Sequence, residues 1–276
     1  MKNIFLFSAL LATTLVITEP TIAAPMDAAQ TAHVLKQGRL AGSLFTPVAL
    51  GLGEQWELST MLVPWFVLSP NIAVRKELGY LGKDIVVTGD YGVSIPTGAM
   101  RVTQGYLFPT WETSGQRPGW VVTPSLGVWI SGGSRNVWTG RLETTLGLPL
   151  GDNPATPLES YAPLELLFAP ALTGFRTRLG LAYDYAIADW LRARGALSGY
   201  VIGKSPYPPK SPFYMSAEVG VEIALGSVFR IGLGGIWYNS DQREKKIVKD
   251  ADGRATRIAT RSNDFFPTFD LILRPR

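Results

Sequence analysis

The chain has no cysteine, one histidine among 276 residues, and only 17% charged residues. Without cysteine it can form no disulfide, carry no lipid-modified N-terminal thiol and offer no thiolate to a metal. A lone histidine, His33, excludes a histidine-clustered metal centre and leaves little for a Ser–His type of catalysis. Soluble domains carry about a quarter charged residues, so this surface is short of charge. Long apolar runs are missing as well. Beyond the N-terminus no stretch reaches the roughly 18 apolar residues that a membrane-crossing helix requires. The net charge of +4 is mild, and no basic run is dense enough to argue for nucleic acid. No phosphate-cradling or dinucleotide fingerprint stands between a strand and a helix, and no cofactor is expected.

The first segment is built for export. Lys2 supplies the positive start, Ile4–Ile17 (IFLFSALLATTLVI) the apolar middle, and Thr21-Ile22-Ala23-Ala24 the small residues of a cleavage site. The expected cut follows Ala23, which makes residues 1–23 a signal peptide and 24–276 one mature domain.

Phe175–Val201 (FRTRLGLAYDYAIADWLRARGALSGYV) sets the pattern for the rest. Leu179, Leu181, Tyr183 and Tyr185 fall on one strand face, and Arg176, Arg178, Gly180, Ala182 and Asp184 on the other. After a turn at Ala188-Asp189, Leu191, Ala193, Leu197 and Val201 oppose Arg192, Arg194, Ser198 and Tyr200. Arg-x-Arg pairs on one face and leucines on the other suit a sheet that is greasy outside and wet inside. Similar alternation is expected over Trp56–Leu62, Asn71–Leu78, Ile85–Ile95, Trp120–Ile130, Asn136–Leu148, Phe213–Ala224, Val228–Tyr238 and Phe265–Leu273. Thr31–Leu44 and Val48–Gly53 are expected to form the first hairpin, preceded by a short periplasmic lead from Pro25 to Gln30. The charged stretch Ser240–Asp264 is expected to form a hairpin standing beyond the bilayer, turning at Asp252-Gly253.

Short turns near residues 53, 81, 133, 188 and 226 alternate along the chain with connections at 46–47, 63–70, 96–119, 151–174, 204–212 and 240–264. The loop 96–119 carries Tyr106, Phe108 and Trp111, and Leu164–Leu167 could pair locally within 151–174. Trp65 and Phe66 stand where an interfacial aromatic girdle would need them. Only helices and closed barrels satisfy every backbone group in lipid. The expected fold is therefore all-β: a transmembrane antiparallel up-and-down barrel of about 12 strands, bracketed by 10 and 14, with short periplasmic turns and longer extracellular loops.

Gly51–Ser59 (GLGEQWELS) and the turn Ile187-Ala188-Asp189-Trp190 resemble the periplasmic turns of bacterial outer-membrane β-barrels, of the porin-like and poorly characterised transporter kind. The resemblance spans the mature chain. It implies location in the bacterial outer membrane and insertion by the barrel-assembly machinery, with Phe269, Leu271 and Leu273 resembling the terminal signal that machinery reads.

The inward positions carry the candidate chemistry. Arg75, Arg141, Arg176, Arg178, Arg192, Arg194 and Arg230 share the lumen with Glu57, Glu77, Asp90, Glu143, Asp184, Glu218, Glu222 and Asp270. The core of this set is Arg141, Glu143, Arg176, Arg178, Arg192, Arg194, Glu218, Glu222 and Arg230. Opposed charges could bridge a narrow lumen as a structural lattice. Alternatively Arg176, Arg178, Arg192 and Arg194 form a constriction that selects anions, or two carboxylates act catalytically. The functional classes that follow are a passive channel or transporter for small solutes, anionic ones included; a closed barrel serving structure, adhesion or partner binding; and, least favoured, a hydrolase. The basic residues between Arg243 and Arg261 are expected to meet lipopolysaccharide phosphates or simply to be solvated.

Overall fold

The computed structural model describes residues 30–103, 117–153, 162–203, 211–249 and 255–273. The strands are β1 Leu40–Ser43, β2 Val48–Gly53, β3 Trp56–Thr60, β4 Asn71–Leu81, β5 Ile85–Ser94, β6 Val121–Gly132, β7 Val137–Leu146, β8 Leu148–Pro149, β9 Phe175–Ala188, β10 Leu191–Ile202, β11 Phe213–Ala224, β12 Phe229–Lys249 and β13 Ala255–Leu273. Every pairing is antiparallel, each strand apart from the short β8 lies beside its neighbours in sequence, and the ring is joined where β1 pairs with β13. The sheet therefore closes on itself. Of its 13 strands, the two-residue β8 is an extra that pairs only with the start of β6, which leaves the expected twelve around the ring.

The alternation read from the sequence is the inside–outside alternation of the wall. On β9, Leu179 is 66% and Leu181 59% exposed, while Ala182 and Asp184, which follow on the opposite face, are 7% and 4% exposed. The same rule places Phe213, Met215 and Val219 outside and Tyr214, Ser216 and Glu218 inside on β11. The outer surface is a belt of leucine, valine, tyrosine and phenylalanine. Such a belt is stable against hydrocarbon and costly against water. Trp65 and Phe66, in the connection between β3 and β4, are exposed.

Three stretches depart from the expectation. First, β1 is only Leu40–Ser43; residues 30–39 do not climb the wall but fold into the lumen, with Thr31, Ala32 and Leu35 buried. Adjacent Val34 and Leu35 break the two-residue period, and Gly38 turns at φ 73°, so this segment has no face to offer a sheet. Gln30 thus lies against the lumen rather than in a periplasmic lead. Second, the 151–174 connection does not pair locally around Leu164–Leu167 but contains a helix, α3, Ala162–Thr173. Two shorter helices, α1 Leu62–Phe66 and α2 Thr97–Val102, occupy the two preceding long connections. Third, β4 runs on to Leu81 through a register shift at Glu77/Gly79, where a turn had been expected from Gly79.

The cleavage site around Ala23, the loop aromatics Tyr106, Phe108 and Trp111, the prolines of 204–210 and the Asp252-Gly253 turn lie outside the described residues. The expected last hairpin is present as the long ends of β12 and β13, paired as far as Lys249 and Ala255. Its basic side chains from Arg243 to Arg261 lie outside the described set.

Candidate functional site: a charged chamber between a plug and an inserted helix

The plug, residues 30–39, is tied to one half of the lumen. Arg75 on β4 ion-pairs with Glu57 on β3 at 3.1 Å and donates a second bond to the Thr31 carbonyl. Glu57 also accepts the Leu35 amide at 2.9 Å. The Ala32 amide donates to Ser131 at 2.7 Å, and its carbonyl accepts the Thr88 hydroxyl. Ala32 packs on Val86 and Trp129, and the Trp129 ring lies between the guanidiniums of Arg75 and Arg141 at 4.9 and 5.4 Å. Gly51 makes room for the plug: a side chain there would strike the Lys36 and Leu35 carbonyls. Two backbone bonds of 2.9 Å, Gly38 to Gly51 and Gly51 to Arg39, complete the docking. The GLGEQWELS stretch thus both forms the tight turn between β2 and β3 and seats the plug.

α3 occupies the other end of the lumen. Ala162, Leu166 and Ala169 pack on the inward Tyr200, Ile202 and Tyr214, while Phe168 and Ala171 pack on Met100 of α2 and on Val121. Glu165 accepts from the Tyr214 hydroxyl at 2.8 Å, and Arg176 donates to the Leu166 carbonyl at 3.0 Å. Gly147 and Gly203 let the helix approach, because a side chain at either would meet the Pro170 or the Thr173 carbonyl. Tyr214→Phe is expected to destabilise the barrel by about 1.5–3 kcal/mol, the worth of a hydrogen bond to a charged group. Denaturant unfolding in micelles measures this; an unmoved midpoint would mean that apolar packing alone holds the helix.

Beside the plug, with Gln30 in its lining, lies a chamber of about 700 Å³. Asp184, Arg192, Arg194, Glu218, Glu222 and Asp270 give it charge, and Gly220 and Gly232 give it width. Arg194 pairs with Asp184 at 2.7 Å, and Glu222 with Arg230 at 2.8 Å. Asp270 accepts the Phe45 amide at 3.2 Å. Neither Glu218 nor Asp270 has a cationic side chain within ion-pairing distance among the described residues.

The candidate residues face inward, and among the described residues the ion pairs Arg75–Glu57, Arg176–Glu143, Arg194–Asp184 and Arg230–Glu222 each join neighbouring strands along the wall rather than opposite sides of the lumen. A cross-strand neighbour is about 5 Å away, the nearest partner the register supplies. Nor do the four arginines converge. Arg176 is held under α3 by Glu143 at 3.0 Å, and Arg178 bonds Ser198 at 3.0 and 3.2 Å beneath the Tyr200 ring. Only Arg192 and Arg194 of that group line the chamber. His33 lines a separate cavity of about 710 Å³ at the short-turn end, beside Tyr80, Lys83 and Asp84.

No family model and no curated protein matches the chain. Among solved structures it is similar to the outer-membrane expressed OmpT of Vibrio cholerae, at 10% identity and a TM-score of 0.41, over 83% of this chain and 63% of that one. The in-vitro folded form of that outer membrane protein gives 10% identity and a TM-score of 0.40, over 83% and 62%. The chain thus spans less than two thirds of the length of the barrels it matches. By its own strand order and closure, it is a twelve-stranded antiparallel up-and-down barrel of the outer-membrane type.

Proposed function

We propose that the protein is an outer-membrane transporter with a gated lumen, taking small solutes that carry a cationic centre. The exported barrel sits with its short turns toward the periplasm, after removal of residues 1–23. The observation that carries this reading is the charged cavity of about 700 Å³ that reaches from Gln30 of the plug along β9–β13. A structural barrel has no use for a hydrated charged cavity, because each buried carboxylate without a counter-ion is costly. A wide porin has no use for a plug hydrogen-bonded to five strands, β2 to β6. The lining carries four carboxylates, Asp184, Glu218, Glu222 and Asp270, against the two guanidiniums of Arg192 and Arg194. That balance favours a cationic or zwitterionic solute over the anion an arginine constriction would select. A non-enzymatic role rests on the single histidine of the chain.

Planar-bilayer recording of the mature chain tests the reading. Small current steps with preference for cations are expected, and Glu218→Gln with Asp270→Asn is expected to remove most of that preference. Silence from a folded barrel, with its plug anchors intact or broken, would overturn the transporter.

A further inference from the structure

The wall of the barrel is not equally tall all the way round. β9, β10 and β11 have 14, 12 and 12 residues, whereas β1, β2 and β3 have 4, 6 and 5. A strand needs about 9–11 residues to cross a bilayer, so the first three strands cover only half of it. They cover the half with the short turns. β1 meets β13 at Gly42–Leu273 and Ser43–Ile272, with one more bond from the Leu44 amide to the Leu271 carbonyl. From Asp270 to Asn263, β13 is paired with β12 on one side only. At about 3.3 Å per residue this leaves roughly 25 Å of strand edge that no described strand covers.

Sequence chemistry at this edge agrees with the gap. Backbone groups alternate sides along a strand. The Leu271 carbonyl faces β1, so the backbone groups of Phe269, Pro267, Phe265 and Asn263 face the gap. Pro267 has no N–H, and a proline fits inside a sheet only where a neighbouring strand is absent. An open edge is not tolerated against lipid unless it lines a wet cavity. One is present: the charged chamber extends from Asp184 and Arg194 to Phe45, Thr46, Pro267, Thr268 and Phe269, the two lips of the gap. Outside the lips, Leu44, Phe45, Phe265 and Phe269 are exposed.

The geometry points to a lateral portal between β13 and the β1–β2 turn, through which a single-tailed amphiphile with an ammonium-bearing head passes between the chamber and the outer leaflet. The head is met by Glu218 and Asp270, the two lining carboxylates that make no ion pair among the described residues. The tail leaves between Phe45 and Phe269 into hydrocarbon, so it never crosses the layer of α3. This deepens the transporter reading and rests on it.

The test uses the absence of native cysteine. Single cysteines carrying a fluorophore are placed in the mature chain and reconstituted in vesicles whose phosphatidylcholine tails bear bromine, a contact quencher confined to hydrocarbon. Leu197→Cys faces outward on β10 and reports that the barrel is in the bilayer. Ala196→Cys faces inward away from the gap and should be protected. Thr268→Cys, and independently Ile236→Cys, face inward beside the gap and are expected to be quenched severalfold more than Ala196. A lysophosphocholine with a brominated tail should quench Thr268 at lower concentration than a fatty acid with the same tail, and Glu218→Gln should erase the difference. Thr268 and Ile236 labels no more quenched than Ala196, with Leu197 quenched, would overturn the portal and leave the transporter standing. If a Phe269→Cys label is also shielded while two chains cross-link through it, a second copy covers the edge and the portal is likewise overturned. An unquenched Leu197 would reject the membrane barrel and with it both proposals.

Discussion

Arg75→Leu is expected to convert a quiet barrel into a conducting one. Arg75 holds the plug twice, through Glu57 and through the Thr31 carbonyl, and both it and Glu57 are almost fully buried. Removing one partner of a buried pair costs about 3–5 kcal/mol, chiefly because the other charge is left stranded. A difference of 1.4 kcal/mol is tenfold in an equilibrium, so about 3 kcal/mol moves the docked plug toward release by roughly a hundredfold. Glu57 would drive this, since its charge can regain water only if residues 30–39 leave. Glu57→Gln should release the plug as well, because it strands the buried Arg75 guanidinium and its one amide oxygen cannot accept from both Arg75 and the Leu35 N–H. Single-channel recording in planar bilayers reads the outcome as frequent large openings in Arg75→Leu. Unchanged small steps from a folded variant would mean that the plug does not gate the lumen.

The second large effect is expected at Gly147. A side chain there collides with the Pro170 carbonyl, and the 2.7 Å bond from the Gly147 amide to the Gly174 carbonyl fixes both in place. Gly147→Val must therefore push the C-terminal turn of α3 off the wall. Overpacking of this kind costs about 1–3 kcal/mol, enough to raise the open fraction of the helix by about tenfold or more. Ala169→Cys provides the measurement, because Ala169 is 1% exposed in its packed site. Its thiol should react slowly with a membrane-impermeant maleimide in the otherwise unaltered chain and much faster beside Gly147→Val. Equal rates would show that α3 tolerates the displacement or already exchanges freely.

Much of the wall was legible because one rule governs it: side chains take turns between oil and water. That rule located the inward charges, from Glu57 to Asp270, without error of face. It could not say which charges would touch. Arg176 and Arg178 are two residues apart on one face, yet one turns to Glu143 and the other to Ser198, since partners come from whichever neighbour the register supplies. The plug escaped notice because Thr31–Gly38 lies next to a true strand and is apolar enough to pass for its beginning. The adjacent Val34 and Leu35 and the glycine at 38 were the available warning. α3 escaped because its two prolines read as loop. Pro163 stands in the first turn, where a helix needs no N–H from it. Leu164, Phe168 and Ala171 also recur at helical spacing. Elements inside a barrel are not constrained by the membrane period, so the pattern that reveals the wall is silent about its contents.

The ring is joined by its two most distant partners, Gly42 with Leu273 and Ser43 with Ile272. Such a joint can form only after every other hairpin has been laid down, and it is repaid by very few rungs. Contacts between remote parts of a chain are slow to form. Until that joint forms the barrel is an open ribbon with raw margins along β1 and β13, edges that would template pairing with another chain.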